Sequence, residues 1–197
     1  PPAALPPRTP ARPYESVVRA RPTEGGSEPG RATSRVSRRD IDERLPRSAP
    51  DALRYEPGVY VQQTAHSQAS AFIRGRTGQQ TVLLFDGIRL NTSLFRQGPN
   101  QYFFTIDSRT VESIEVIRGG ASTRWGTDAL GGVLHARPSE PSLDPRSDGL
   151  ALRPGAMLRA ASADGEIGGR VQLDARLARS LSFFGGTGVR RAGLLRS

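Results

Sequence analysis

Residues 111–135 read VESIEVIRGGASTRWGTDALGGVLH, a stretch that carries several ordered local signals. Its opening residues alternate between two sides and are rich in β-branched side chains, which predicts a strand of about six residues. A glycine pair at 119–120 follows, and the short polar segment 121–128 predicts one helical turn. A second glycine pair at 131–132 leads into a predicted strand at 133–136. Glycine pairs at these positions allow the main chains of neighbouring segments to approach one another closely.

Three upstream stretches carry further local signals. In DALRYEPGVYV, residues 51–61, a helical turn is predicted to end at the Pro-Gly pair and a strand to begin after it. AFIRGR, residues 71–76, is a second strand candidate. In TVLLFDGIRL, residues 81–90, Asp86-Gly87 separates two apolar runs. This pattern predicts a hairpin with a type I′ turn, because both central residues of that turn need a positive φ.

Two helix starts and two connections are also predicted. Asp40 is placed as the N-cap of a helical turn that ends before a proline. Ser48 is placed as the cap of a second turn, with Pro50 in its first positions. Residues 62–70 are predicted to form a polar loop, and residues 106–110 a short capped turn that feeds the first strand described.

The opening stretch resembles the end of the plug domain of TonB-dependent outer-membrane receptors. That family carries an ordered signature immediately before its barrel begins, and the resemblance rests on the order of the set more than on any one piece. The matching residues are Ile114-Glu115-Val116-Ile117-Arg118-Gly119, Ser122, Trp125-Gly126 and Ala129-Leu130-Gly131-Gly132-Val133-Leu134. The PGV, IRG and LFDGI pieces of the three upstream stretches are similar to elements of the same family.

The resemblance implies an α+β fold with a small mixed β-sheet plug and short helices, followed by the first antiparallel strands of an incomplete transmembrane β-barrel. It divides the chain into four parts. These are a flexible N-terminal tether at 1–34, a plug domain at 35–138, a connector at 139–149 and barrel strands at 150–197. Such a chain is expected not to transport a ligand by itself.

The last part of the chain shows the alternation that a barrel wall requires. Residues 170–177 read RVQLDARL, with apolar side chains on one face and polar or charged side chains on the other. Residues 156–162 are a candidate for the preceding strand. A soluble antiparallel sheet with one wet face has the same period, so alternation alone leaves both interpretations open.

Composition restricts the function without deciding it. The 197-residue chain has a formal net charge of +9 and no cysteine, and all of its basic residues other than histidine are arginines. A basic chain is compatible with nucleic-acid binding, but these arginines are scattered through predicted strands and loops instead of forming one stripe with stacking aromatics. We therefore expect no nucleic-acid partner. No apolar run is long enough to predict a transmembrane helix.

A β-prone island lies inside the Pro- and Gly-rich tether. An isolated strand-former of this kind is a candidate for strand addition to the sheet edge of a partner. By resemblance to the family's TonB box, the island implies a binding site for the periplasmic domain of TonB. Its residues are Glu15, Ser16, Val17, Val18, Arg19 and Ala20. An incidental β-prone run in a linker is the alternative.

The resemblance also implies that loops of the plug contact a small-molecule ligand such as a metal chelate. Two segments with exposed amide, aromatic and basic groups fit that role. Their residues are Arg76, Gln79, Gln80, Asn91, Phe95, Arg96, Asn100, Gln101 and Tyr102. Loops that merely fill a barrel lumen have the same composition, which leaves that alternative open.

Arginine-glycine pairs and turn glycines suggest a structural and charge network within the plug. An arginine at the end of an apolar strand needs a charged partner or water, and Glu115 is the internal candidate. The predicted network consists of Arg74, Gly75, Asp86, Gly87, Glu115, Arg118, Gly119, Gly126, Gly131 and Gly132. We expect a polar, charge-paired interface of this kind to let a plug shift without unfolding an apolar core.

The sequence predicts no enzyme, no catalytic residue, no metal site and no cofactor. His66 and His135 lie far apart and lack further ligands at metal spacing. The resemblance implies the plug region of a receptor in the outer membrane of a Gram-negative bacterium, with the tether in the periplasm. The implied function is uptake of a scarce ligand of the siderophore-iron, haem or cobalamin class, coupled to TonB. A free-standing periplasmic binding or adaptor module is the alternative.

Overall fold

The computed structural model describes residues 31–65, 68–90, 102–141, 150–162, 165–178 and 181–193. The strands are β1 (Ala32–Ser37), β2 (Val59–Ala65), β3 (Gln68–Ile73), β4 (Thr81–Phe85), β5 (Ile88–Arg89), β6 (Val111–Arg118), β7 (Gly132–Pro138), β8 (Ala151–Ala161), β9 (Glu166–Ala178) and β10 (Leu181–Arg191). The helices are α1 (Arg38–Arg44) and the single turn α2 (Ser122–Trp125). Short 3₁₀ turns lie at Pro50–Leu53, Gly78–Gln80, Tyr102–Thr105 and Ser108–Thr110.

The strands form three sheets. A five-stranded sheet has the order β1-β6-β7-β4-β5, in which β4 and β7 are parallel and the other neighbours antiparallel. β2 and β3 form a separate hairpin, and β8, β9 and β10 form an antiparallel three-stranded sheet. The predicted fold class, a small mixed sheet with short helices followed by antiparallel strands, is confirmed. We call the described residues between 31 and 138 the mixed-sheet unit.

β6 lies inside the five-stranded sheet and is buried on both faces. The alternation of its residues therefore does not separate a solvent-exposed face from a buried one. The strand has eight residues and is longer than predicted. On one face Ile114 and Val116 join the larger core, which also contains Phe103, while on the other Ile117 packs with Val82. The central strand of a sheet covered on both sides carries such a nearly continuous apolar run.

The two predicted helix caps were wrong. Ser37 caps α1, because its hydroxyl accepts a hydrogen bond from the Asp40 N–H while the Asp40 carboxylate accepts one from the Ser37 N–H, 2.8 Å away. Asp40 is thus the third helical residue of a capping box. Hydrogen bonds from Ser37 lower the pKa of Asp40 below its ordinary value. The second turn starts at Pro50 without a side-chain cap, and the Ser48 hydroxyl has no hydrogen-bond partner in the described part of the chain.

The polar loop predicted at residues 62–70 was also wrong. β2 continues to Ala65 and β3 begins at Gln68, with Gln62 opposite Ser70 and Gln63 opposite Ala69. Pairing across the hairpin supplies the main-chain hydrogen bonds and overrides the polar composition of these residues. The predicted Asp86-Gly87 hairpin is confirmed, with φ values of 50° and 77° at its two central residues.

The three-stranded sheet has two unlike faces. One face carries polar and charged side chains toward the mixed-sheet unit, and Arg170 contacts Asp107 there. The other face exposes large apolar side chains, most strongly Leu158 at 91% and Val189 at 79% of their surface. No helix in the described ranges is long and apolar enough to span a membrane.

Candidate functional site

A buried polar network closes one end of the five-stranded sheet. The Arg118 side chain leaves the end of β6 and is 7% exposed, and its Nη2 lies 3.5 Å from Oε2 of Glu56, which is 9% exposed. The Ser34 hydroxyl accepts a hydrogen bond from Arg118 at 2.8 Å and donates one to Glu56 at 2.6 Å. Arg118 also donates to the Pro57 carbonyl, and Arg44 lies 3.2 Å from the second oxygen of Glu56. The network joins β1, β6 and the segment before β2.

The predicted partner of Arg118 was wrong. Glu115 and Arg118 are three positions apart on one strand, and side chains at an odd separation point to opposite faces of a sheet. Glu115 instead lies 3.8 Å from Arg137 of β7. Glu56 and Ser34 were missed because they are far from Arg118 in sequence. The only sequence signal for Glu56 is a carboxylate directly before the Pro-Gly pair.

Glycines make the corner between β6 and β7 possible. A Cβ on Gly132, whose φ is 153°, would lie 2.1 Å from the Ile117 carbonyl oxygen. A Cβ on Gly131 would lie 2.7 Å from Cβ of Arg76. Gly119 has a φ of 93°, and its N–H donates to the Gly131 carbonyl at 2.8 Å. The predicted glycines therefore meet where two strand ends and the start of β4 approach closely.

The other predicted network residues occupy turns. Arg74 and Gly75 form the turn after β3, with φ values of 50° and 77°. Gly126 ends α2 with a φ of 92°. Asp86 and Gly87 lie at the opposite end of the sheet from Arg118, so the predicted set does not form a single cluster.

His135 supports the turn between β4 and β5. Its Nε2 accepts a hydrogen bond from the Gly87 N–H at 3.1 Å, which requires the neutral imidazole. Burial and the positive charge of Arg137 lower the pKa of His135, against the opposing effect of Glu115 and Asp86. This histidine therefore stabilises a turn. Among the described residues, no group of three or more histidine, aspartate or glutamate side chains is placed to hold a metal ion.

Part of the predicted ligand-contact set lies at the sheet end that carries Arg118. Arg76 and Gln80 are exposed beside Gly131, whose N–H donates to the Gln80 carbonyl at 2.7 Å. Gln79 lies in the same 3₁₀ turn, and Tyr102 is an exposed residue at the start of another. Outside the described residues lie Asn91, Phe95, Arg96, Asn100 and Gln101, as do the TonB-box candidates Glu15, Ser16, Val17, Val18, Arg19 and Ala20.

The interface between the mixed-sheet unit and the three-stranded sheet is polar, and the sequence did not predict its residues. Nη1 of Arg170 lies 3.2 Å from Oδ2 of Asp107. Burial raises the pKa of Asp107, but hydrogen bonds from Arg109 and the charges of Arg109 and Arg170 outweigh it and hold the pKa below its ordinary value. A cavity of about 540 Å³ lies in this interface, lined by both signs of charge, including Arg38, Asp42 and Asp174.

Many of the arginines in the described ranges are paired with carboxylates. Arg38 pairs with Asp42, and Arg89 pairs with Asp128. Arg39 lies 2.8 Å from Glu43. These pairs neutralise the positive charge locally, and a surface that binds phosphates needs a continuous row of unneutralised basic groups.

Comparison with known proteins gives concordant matches. The model of the TonB-dependent Receptor Plug Domain family matches residues 27–133. The vitamin B12 transporter BtuB of Vibrio vulnificus (strain CMCP6) is 35% identical over 107 residues, which are 53% of this chain and 17% of that protein. The chain therefore spans less than a fifth of this curated relative's length.

Solved structures give the same fold. The siderophore receptor PirA from Pseudomonas aeruginosa has a TM-score of 0.56 and 25% sequence identity, over 84% of this chain and 29% of PirA. The ferric yersiniabactin uptake receptor FyuA from Yersinia pestis has a TM-score of 0.54 and 20% identity, over 82% of this chain and 24% of FyuA. At 20% identity the likeness to FyuA concerns the fold alone.

Proposed function

Because the chain belongs to the family of TonB-dependent receptor plug domains, we propose that it forms the plug region of an outer-membrane receptor that takes up a scarce small ligand. In this proposal residues 35–138, together with the start of β1 at Ala32, are the plug, and residues 150–197 are the first strands of the surrounding wall. The plug occupies the lumen of the barrel and gates it. The protein lies in the outer membrane of a Gram-negative bacterium, with the N-terminal tether in the periplasm.

The observation that carries this proposal is the two-faced three-stranded sheet beside the plug. Its polar face meets the plug through Arg170 and Asp107, while its other face exposes Leu158, Val171 and Val189. A soluble sheet with one wet face has the reverse arrangement, with its apolar side against the core. An apolar outer face and a polar inner face are what a strand needs when lipid lies outside and a plug inside.

The ligand class is proposed from the named relatives. BtuB is a vitamin B12 transporter and PirA a siderophore receptor, so cobalamin and ferric siderophores are the first candidates, with haem as a further one. We propose that Tyr102, which is exposed, and the predicted contact residues of 91–101 contact this ligand. Arg76, Gln79 and Gln80 lie at the sheet end where β1 begins opposite Arg118, and in this proposal that end faces the periplasm, so we do not expect them to contact the ligand.

Energy coupling is proposed to run through residues 15–20. TonB pairs with this β-prone segment by strand addition, which needs an extended main chain with free N–H and C=O groups. β1 begins at Ala32 and so includes residues 32–34, which the sequence assigned to the tether; it is an edge strand of the five-stranded sheet. A pull on the tether therefore reaches the plug first at β1.

An uptake experiment tests the proposal. Cells that lack their own cobalamin and catecholate-siderophore receptors express the full-length protein and receive radiolabelled cyanocobalamin or ferric enterobactin. We expect accumulation of one of these probes in cells with TonB and none in cells without it. Equal accumulation with and without TonB contradicts the coupling, and binding of neither probe to the purified full-length protein contradicts cobalamin and ferric enterobactin as its ligands.

A pair of proline variants tests the coupling segment. Val18→Pro removes a main-chain donor inside the β-prone island and is expected to abolish TonB-dependent uptake while leaving ligand binding unchanged. Ser27→Pro makes the same change elsewhere in the tether and is expected to leave uptake near the wild-type rate. Normal uptake by Val18→Pro would show that TonB pairs with another segment.

Two other functions are separated by simple measurements. A free-standing periplasmic module is recovered in the soluble periplasmic fraction, whereas a plug inside its barrel is recovered with the outer membrane. A nucleic-acid-binding protein binds random DNA with an affinity that falls steeply with salt. We expect no such binding, because the described arginines are largely paired with carboxylates.

A further inference from the structure

Three charged side chains share the polar face of the three-stranded sheet near the turn between β8 and β9. Arg159 of β8 and Arg190 of β10 both lie opposite Gly168 of β9 in the strand register. Glu166 is two residues before Gly168 and therefore points to the same face. A Cβ on Gly168 would lie 3.2 Å from Cγ of Arg190, so the glycine leaves room for the two arginines to converge.

The carboxylate of Glu166 holds these two arginines together. The residue is fully buried, with Nε of Arg159 3.1 Å and Nε of Arg190 3.7 Å from its Oε1. A buried carboxylate needs a cation beside it, and here two guanidinium groups fill that role. Each arginine uses its Nε toward Glu166 and so keeps its outer nitrogens for a second partner.

Both arginines direct those outer nitrogens at one stretch of main chain in the plug. Nη1 of Arg159 donates to the carbonyl oxygens of Leu45 and Pro46, the latter at 3.1 Å, and Nη1 of Arg190 donates to that of Arg47 at 2.7 Å. These are consecutive carbonyls directly after α1, where Leu45 adopts a left-handed conformation with a φ of 46°. Cations are favourable at the carbonyl end of a helix.

We propose that Glu166, Arg159 and Arg190 form an anchor that fixes the plug segment 45–47 to the three-stranded sheet, and that Glu166 is its positioning residue. The anchor recognises main-chain carbonyls, so it constrains the path of the segment whatever its side chains are. It differs from another contact between the two parts, in which Arg170 meets the 36%-exposed carboxylate of Asp107. The anchor goes beyond the proposed uptake function and does not depend on the ligand or on TonB.

Limited trypsin digestion of the folded full-length protein tests the anchor, because trypsin can cleave after Arg44 and after Arg47 at either end of the anchored stretch. Glu166→Gln keeps the shape of the side chain and removes the charge that orients both arginines. We expect cleavage at these two bonds to accelerate about tenfold, the size expected when one charged hydrogen bond is weakened. Cleavage after Arg74, in an exposed turn, is expected to stay unchanged.

Asp174→Asn is the matched control, since Asp174 lies on the same strand and face as Glu166 but further along β9, opposite Arg153 instead of beside Arg159. It is expected to leave both cleavage rates as in the wild type. If Glu166→Gln is cleaved at the wild-type rate, the proposed anchor is overturned. If Glu166→Gln accelerates cleavage at every bond, the variant Arg190→Gln decides whether the anchor exists. Arg190→Gln is expected to accelerate cleavage after Arg47 more than cleavage after Arg44. An equal acceleration at both bonds overturns the proposal.

Discussion

Among the glycines that the structure describes, Gly132 leaves the least room for a side chain. It begins β7 with a φ of 153°, and any Cβ there would meet the Ile117 carbonyl oxygen at 2.1 Å. Because that neighbour is main chain of the adjacent strand β6, it cannot move aside without disturbing the β6–β7 pairing. Gly132→Ala is expected to lower the free energy of unfolding by about 3 kcal/mol or more. Urea unfolding of the purified protein in detergent measures this change.

Gly120→Ala is the control for this prediction. Gly120 belongs to the other glycine pair of the same corner, and a Cβ there would meet no atom within 4 Å. Its substitution is expected to change the free energy of unfolding by less than about 1 kcal/mol. Similar losses in the two variants would show that chain flexibility, and not the close approach of β6, sets the requirement for glycine.

His135 makes the stability of the plug depend on pH. Its folded-state pKa lies below the ordinary 6.5, so the unfolded chain binds the proton more readily. The contribution of neutral His135 to the free energy of unfolding is therefore complete above about pH 6.5 and is lost as pH falls through the folded-state pKa. We expect urea unfolding of the wild type to show a larger loss between about pH 7.5 and 5.5 than His135→Gln. The same loss in both proteins would assign the pH dependence to other groups.

At the residue scale, sequence reasoning identified positions better than partners. Arg118 and the glycines could be identified because a strand-end arginine and a glycine pair each carry their own local signal. The partner of Arg118 could not be identified, because Glu56 is far from Arg118 in sequence and lies beside it only in the folded structure. The same reason hides Glu166, whose role depends on Arg190 of the neighbouring strand β10.

At the scale of elements, β1 is held by polar contacts as well as by its pairing with β6. It is an edge strand that pairs only with β6 in the five-stranded sheet, and Val36 is its one buried apolar residue. The hydrogen bonds that join Ser34, Glu56 and Arg118 therefore hold its first half in place. Glu56→Gln leaves the buried Arg118 without its carboxylate.

Glu56→Gln is expected to lower the free energy of unfolding by about 2 to 4 kcal/mol. Hydrogen exchange followed by mass spectrometry should show the largest loss of protection in β1. Glu43→Gln is the control, because Glu43 is 62% exposed and pairs with an 87%-exposed Arg39. It is expected to change the free energy of unfolding by at most about 0.5 kcal/mol. Unchanged protection of β1 in Glu56→Gln would mean that pairing with β6 alone holds the strand.

Elements whose signal is local were predicted well from sequence, and those defined by pairing were not. The Asp86-Gly87 hairpin and the turn capped by Asp107 need only a few adjacent residues, and both are present. From sequence, the tip of the β2–β3 hairpin was predicted as a polar loop, because its glutamines show no apolar alternation and their pairing across the two strands is not visible in the sequence. Ser37 was passed over as a cap because it is also the last residue of β1.

At the scale of the whole molecule, the arrangement of charge connects the fold with its surroundings. Carboxylates and arginines are collected inside, in the Arg118 network and between the plug and the three-stranded sheet, while the large apolar side chains of β8, β9 and β10 point outward. The alternation in residues 170–177 predicted two unlike faces, and only their position after the plug-like part favoured a polar face toward the plug. That assignment needed the contact between Arg170 and Asp107.

The outward face gives a prediction that separates a membrane wall from a soluble sheet. Leu158 and Met157 are neighbours on β8; Leu158 is 91% exposed, whereas Met157 lines the cavity beside the plug. A nitroxide label at each position of the full-length protein in lipid vesicles reports its surroundings through collisions with oxygen or with a water-soluble nickel complex. Because oxygen concentrates in hydrocarbon and the nickel complex in water, we expect the label at position 158 to collide mainly with oxygen. The label at position 157 is expected to show few collisions with oxygen. If the nickel complex reaches position 158 freely, β8 faces water and the free-standing periplasmic module becomes the better interpretation.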